Sequence, residues 1–223
     1  MRTDEECKAD VVKQLTWDER VDASSVAVEV DQGAVTLAGT VATHTARRAA
    51  VDGARQVRGV TSVIDELRID NRSAAASPAS DAEILAEVQR GLALSPSLHG
   101  HKIRASVANG WVTLEGNVDA YWKKVHAENK ATDLWGVMGV INKVAVVPTE
   151  SVADEVIAKD VVDAIGRNAN VRLEHIEITV VDGHVTLDGV VPNGVAQVAA
   201  HNAALHTQGV KEVDDRLVVS FQM

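Results

Sequence analysis

Apolar and polar positions follow one plan three times along the chain. Each pass opens with apolar residues at i, i+4, i+5 and i+8: Cys7, Val11, Val12 and Leu15 first, and Ile157, Val161, Val162 and Ile165 last. That spacing puts them on one face of a helix. Strict alternation follows in Val26, Val28 and Val30, then in Val35, Leu37, Gly39 and Val41. Period two is the pattern of half-buried strands. Asn109-Gly110 and Asp182-Gly183 fall between such strand pairs, where a tight hairpin needs residues that tolerate positive φ. A second helix carries small residues at i and i+4, Ala50 and Ala54, so that it can lie close on the sheet. A Gly-Val pair and a third strand, Val63 to Ile69, complete an α-β-β-α-β unit.

The repetition is explicit in the residues. Gly33-Ala-Val-Thr-Leu-Ala-Gly-Thr-Val41 recurs as Gly110-Trp-Val-Thr-Leu-Glu-Gly-Asn-Val118 and Gly183-His-Val-Thr-Leu-Asp-Gly-Val-Val191. The offsets are 110 − 33 = 77 and 183 − 33 = 150, and they hold without a gap from Asp4 to Ile69. Asp4 corresponds to Asp81 and Asp154, and Leu67 to Val144 and Leu217. The chain therefore divides into module 1 (1–70), a linker (71–80), module 2 (81–147), a short linker (148–153) and module 3 (154–223). The shorter second linker predicts closer coupling of modules 2 and 3. One strand face is apolar, and the other carries Thr36, Ala38 and Thr40 or Thr113, Glu115 and Asn117. That predicts an α+β fold. Each module is a two-layer sandwich, a three-stranded mixed sheet with two helices on one face.

The element order, the Val-x-Leu-x-Gly-x-Val strand and the Gly-Val-x-x-Val-x-Asx-x-Leu/Val ending resemble the BON-domain family. Module 2 carries the ending as Gly136-Val-Met-Gly-Val-Ile-Asn142-Lys-Val, and Asp65 and Asp215 stand where Asn142 does. The resemblance covers nearly the whole chain, three times. It implies a binding function at the bacterial cell envelope, with phospholipid surfaces as ligand, links to osmotic and envelope stress, and a periplasmic setting.

Composition narrows the chemistry. Aromatic residues are 3% of the chain, so the cores must be built of Val, Ala, Leu and Ile. A net charge of −10 argues against a general nucleic-acid binder. The N-terminus lacks the apolar stretch of a secretory signal, which points to the cytoplasm. Cys7 aligns with Ile84 and Ile157 and reads as a small core residue. The eight histidines share no repeat position, and His99-x-His101 alone is too few ligands for zinc. Gly33, Gly39, Gly59 and their counterparts Gly110, Gly116, Gly136, Gly183, Gly189 and Gly209 match no phosphate-loop pattern and read as turn and close-packing positions. No catalytic residue, metal or cofactor is expected.

Module 2 differs from its neighbours. It balances seven acidic against seven basic residues, whereas residues 4–70 have 13 against 8 and residues 154–220 have 11 against 5. It also holds Trp111, Tyr121, Trp122 and Trp135. Trp122 points roughly 140–180° from the Ala127/Ala131 line at about 100° per residue. Aromatic rings beside lysines suit a membrane–water boundary, so Tyr121, Trp122, Lys123 and Lys124 are the candidate membrane or partner contact. The competing expectation is that Trp122 packs on a neighbouring module. Trp135 is expected in the core, and Trp17 at a partly buried helix end. The expected function is non-catalytic binding to phospholipid surfaces or envelope partners. The alternative is a cytoplasmic stress-related scaffold or chaperone-like protein without lipid affinity.

Overall fold

The computed structural model describes residues 3–69, 80–168, 171 and 175–220; residues 71–79 of the first linker fall outside these ranges. Module 1 runs α1 (Asp4–Trp17), β1 (Val26–Asp31), β2 (Ala34–Val41), α2 (His44–Gln56) and β3 (Ser62–Ile69). Module 2 repeats this as α3 (Asp81–Ala93), β4 (Arg104–Ala108), β5 (Trp111–Val118), α4 (Tyr121–Thr132) and β6 (Gly139–Val146). Module 3 has α5 (Asp154–Gly166), β7 (Ile176–Val181), β8 (His184–Val191), α6 (Gly194–Leu205) and β9 (Glu212–Val219). In each sheet the middle strand pairs antiparallel with its hairpin partner and parallel with the third strand. The fold is α+β with three repeats.

Each module buries its own core. Val11, Leu15, Val35, Leu37, Ala50 and Ala54 form the centre of the first, and Cys7 belongs to it. The alanine lines of α4 and α6, Ala127 with Ala131 and Ala200 with Ala204, are fully buried as well. The helix face is narrower than the i+5 spacing suggested, because Val12 and Val162 are exposed at its edge.

The hairpin turns show why the modules share more than apolar spacing. Both central residues of each turn have positive φ: Gln32 and Gly33, Asn109 and Gly110, Asp182 and Gly183. A turn of this type follows the natural twist of the paired strands. Its two N–H groups point toward the first helix, where Asp4 accepts from Gln32 and Gly33 at 2.9 and 3.1 Å. Asp81 receives Asn109 and Gly110, both at 2.8 Å. Asp154 receives Asp182 and Gly183 at 2.8 and 2.9 Å. Further along, Gly39, Gly116 and Gly189 have positive φ where a Cβ would run into the carbonyl oxygens of Ser25, Lys102 and His175.

The modules meet through their second helices. The start of α2 bonds to the end of α4 through Thr45 and Asp133. The start of α4 stacks Trp122 on His206, just past α6. The start of α6 places Gly194 against Arg55 near the end of α2. Each second helix thus touches one neighbour with its first turn and the other with its last. The result is a closed head-to-tail ring.

Replacing the turn acceptor tests how much it holds. Each charge-assisted bond contributes about 1.5–3 kcal/mol. Asp81→Ala removes two such bonds, one of them exposed to solvent and worth less, and should lower the stability of module 2 by about 2–4 kcal/mol. Urea unfolding should show an earlier transition for the variant, and an unchanged midpoint would remove the clamp from the account.

Candidate functional site

The aromatic–lysine segment opens α4. Its N-cap residue Ala120 makes no side-chain cap bond, and the first two helical residues turn toward module 3. Tyr121 packs on the module 3 core. Burial raises its phenol above the ordinary value near 10, although a hydrogen bond with the Val213 backbone works the other way. Trp122 lies nearly parallel to His206, with ring centroids 6.4 Å apart. Lys123 is largely covered: its Nζ sits 2.7 Å from Asp119 Oδ1 and 3.1 Å from His101 Nε2. That lysine holds the Asp119 carboxyl below its usual range. The Lys124 carbonyl accepts from Asn142. The structure therefore brings Tyr121 and Trp122 into an intermodule seam, puts Lys123 into a local ion cluster, and does not gather the four into one exposed face.

The same helix positions build every seam. His44, Tyr121 and Gly194 are equivalent, as are Thr45, Trp122 and Val195. Opposite them, Asp133, His206 and Gln56 are equivalent. Trp122 on His206 thus repeats, in aromatic form, the 2.9 Å bond from Thr45 Oγ1 to Asp133. Arg48 adds bonds to Asn129 at 2.8 Å and Asp133 at 3.3 Å, and His44 Nε2 sits 3.2 Å from the Val137 carbonyl. Half-burial lowers the pKa of His44 more than the Val137 carbonyl raises it. The third seam is a backbone approach, in which a Cβ on Gly194 would stand 2.9 Å from the Arg55 carbonyl oxygen.

Other chemistry-bearing groups resolve into structural contacts. His99 Nε2 bonds to the Ala93 carbonyl while His101 faces Lys123, so the pair does not converge. Among the described residues, no group of three or more His, Cys, Asp or Glu is placed to hold a metal ion. Ser95, a buried polar residue missed in the sequence, bonds to His126 at 3.0 Å. Burial lowers the pKa of His126, and the Lys130 cation adds to that shift. Asp65, Asn142 and Asp215 each accept the N–H two residues on, from Leu67, Val144 and Leu217. Each also ties its strand to the second helix: Asp65 pairs with Arg47 at 2.8 Å, Asn142 bonds to Glu128, and Asp215 lies 3.7 Å from His201. All nine repeat glycines have positive φ.

An exposed apolar corner lies on the helix-free face of the module 2 sheet. Trp111 and Ile141, on that face, are 49% and 44% exposed, and Met138, just before β6 beside the hairpin turn, is 54% exposed. The Trp111 indole lies over Gly139, its parallel partner, where any Cβ would meet the ring at 2.6 Å. Met138 borders Gly110, and its N–H bonds to the Gly110 carbonyl at 2.8 Å. Lys143, exposed two residues beyond Ile141, continues the same face. The equivalent positions are Ala34, Thr61 and Ile64 in module 1, and His184, Lys211 and Asp214 in module 3. In module 3 this corner is polar, with His184 Nδ1 3.2 Å from the Glu212 carboxylate. Two sequence expectations are corrected. Trp135 is exposed rather than core, because it precedes the Gly136 turn instead of facing the alanine line. Trp17 is also exposed, at the last residue of α1, with the Lys13 ammonium 4.8 Å from its ring.

The BON domain family model matches residues 3–71, 80–148 and 153–220. The chain belongs to the BON domain family. It is similar to the osmotically-inducible protein Y of Escherichia coli (strain K12), 29% identical over 136 residues, 60% of this chain and 68% of that protein. Among solved structures, the C-terminal domain of CdsD, the structural protein of the type III secretion system of Chlamydia trachomatis, aligns over 95% of this chain and 96% of its own. The identity there is 14% and the TM-score 0.26. No helix among the described residues is long and apolar enough to cross a membrane.

The first seam between BON domains carries a pH dependence of known sign. A histidine with a lowered folded-state pKa binds fewer protons folded than unfolded, so stability rises with pH. For His44 the contribution is whole above the ordinary value near 6.5 and is lost as the pH falls through the lowered value. His126, also lowered by burial, acts in the same direction. Urea midpoints between pH 7.5 and 5 should fall on acidification, and His44→Gln should flatten part of that slope. A slope identical to wild type would show that His44 is not the sensing group.

Proposed function

We propose that this chain is a non-catalytic binding protein of the osmotic and envelope stress response, and that it docks on phospholipid surfaces through the outer sheet face of its second BON domain. The supporting observation is the asymmetry of that face. Trp111, Met138 and Ile141 stay exposed where module 1 has Ala34, Thr61 and an equally exposed Ile64, and module 3 has His184, Lys211 and Asp214, so that only module 2 carries three large apolar side chains there. Folding does not need them apolar, and exposed apolar patches mark interaction sites. Trp, Met and Ile beside Lys143 give a ring for the headgroup level, apolar side chains for the acyl boundary and a cation for phosphate. The second domain is also the one without net charge, so it approaches an anionic surface with the least repulsion. Kinship with an osmotically inducible protein supports the physiological setting.

Co-sedimentation with phosphatidylglycerol-containing and phosphatidylcholine vesicles tests the reading. Full burial of a large apolar side chain is worth about 1.5–3 kcal/mol, and roughly 1.4 kcal/mol is tenfold in affinity. Trp111→Ser with Met138→Ser should weaken vesicle binding by at least about tenfold, while Trp122→Ala should leave it within about twofold. Loss in Trp122→Ala alone would move the contact to the start of α4. Failure of the wild-type chain to bind either vesicle would overturn the lipid reading and favour a protein-binding scaffold.

A further inference from the structure

The ring closes through one contact that no linker enforces. Modules 1 and 2 are consecutive in sequence, as are modules 2 and 3, but the seam between module 3 and module 1 joins the two ends of the chain. It is also the seam whose apolar helix face is least covered. Val195 and Val198 on α6 remain 42% and 40% exposed. The equivalent Thr45 and Trp122 are engaged by Asp133 and His206, and Arg48, equivalent to Val198, by Asn129. A cleft of about 310 Å³ remains there, lined among others by Val60, Val63, Gln197, Leu217 and Val219. At its edge Gly194 sits so close to α2 that an added Cβ would stand 2.9 Å from the Arg55 carbonyl oxygen and 3.2 Å from Arg55 Cβ. Gly194 is not one of the positive-φ glycines, so its backbone needs no glycine; the space beside Arg55 does.

We infer that the seam between modules 1 and 3 is an exchangeable interface, closing the ring within one chain and, when open, joining it to a second copy of the same chain. A head-to-tail contact is made of two different, mutually fitting surfaces. Opening the ring releases the end of α2 and the start of α6 together. Each is then complementary to the surface freed on another open copy. Two open chains can therefore rebuild two such seams between them and lose none.

A cysteine pair reads this directly. Arg55→Cys with Gly194→Cys in a Cys7→Ala background places two Cβ atoms close to the roughly 3.5–4.5 Å that a disulfide needs. Oxidation of the dilute full chain should give a monomer crosslinked within itself, seen as a faster band on a non-reducing gel. After refolding at high concentration, oxidation should give dimers crosslinked between copies, absent from either single-cysteine variant. Crosslinking confined to single chains after that refolding would overturn the exchange, and no crosslink at all would overturn the seam. Gly194→Leu provides a check independent of cysteine chemistry. Leucine raises helix propensity over glycine, so α6 should be retained by far-UV circular dichroism. The wedge should increase the radius of gyration at low concentration and the dimer fraction at high concentration. A compact monomer at both would overturn the proposal.

Discussion

Each module depends on a carboxylate that holds a turn from one side while the backbone holds it from the other. Asp4, Asp81 and Asp154 collect the two N–H groups of the hairpin turn 28 and 29 residues away. On the opposite side, the carbonyls of Gly33, Gly110 and Gly183 accept from Thr61, Met138 and Lys211 at 2.8 Å each. The turn is thus where the first helix, the hairpin and the approach to the third strand are tied together. These bonds matter more in a small module than in a large domain. A core of this size, poor in aromatic residues, buries a modest area, and unsatisfied turn N–H groups would offset a good part of it.

The second constraint is how close the second helix may lie to its sheet. Paired alanines set that distance in all three modules and leave the helix ends as the parts free to meet a neighbour. Each seam then uses the first turn of one second helix and the last turn of the next, with different chemistry. The first pairs Thr45 and Arg48 with Asp133, the second stacks Trp122 on His206, and the third fits Gly194 to the Arg55 backbone. Because the Tyr121 side chain cannot occupy the space of Gly194, and Thr45 would find no carboxylate at His206, the side chains specify which modules adjoin. Discrimination of this kind relies on mismatch as much as on attraction.

Much of this was legible in the residues, for a physical reason. Strand alternation, the Ala50/Ala54 line and the matched glycines report on contacts within one module, where chain distance and spatial distance go together. Trp122 shows the boundary of that reading. Its angle away from the alanine line correctly removed it from its own core, but the angle carries no information on His206, 84 residues later, as its partner. Trp135 fails in a related way. A position beside a turn glycine has no period to expose it, so its accessibility depends on tertiary neighbours. The clamp was visible only as a conserved spacing between Asp4, Asp81 and Asp154; that the aspartates receive turn N–H groups required the turn's geometry.

Ring closure bears on how the protein would approach a membrane. The second helices meet one another, so the helix-free faces of the three sheets point away from the contacts. Those faces belong to modules with formal charges of 8 − 13 = −5 over 4–70, 7 − 7 = 0 over 81–147 and 5 − 11 = −6 over 154–220. Docking by the second BON domain would carry the two acidic domains along. Charges beyond about 8–10 Å are screened at physiological salt but not at 0.01 M, where the screening length is about 30 Å. Low salt therefore extends the repulsion from the outer domains to an anionic surface, while the apolar contact of Trp111, Met138 and Ile141 is unaffected. The exposed cations on that face, Lys143 and Arg104, both adjoin Glu115, 3.8 Å from Lys143 and the cross-strand partner of Arg104, and add little attraction to offset it. Binding to anionic vesicles should accordingly strengthen, by severalfold, between about 10 and 150 mM salt, the reverse of a contact driven by lysines. A steady loss of binding over the same range would show that cations carry the contact instead of the apolar corner.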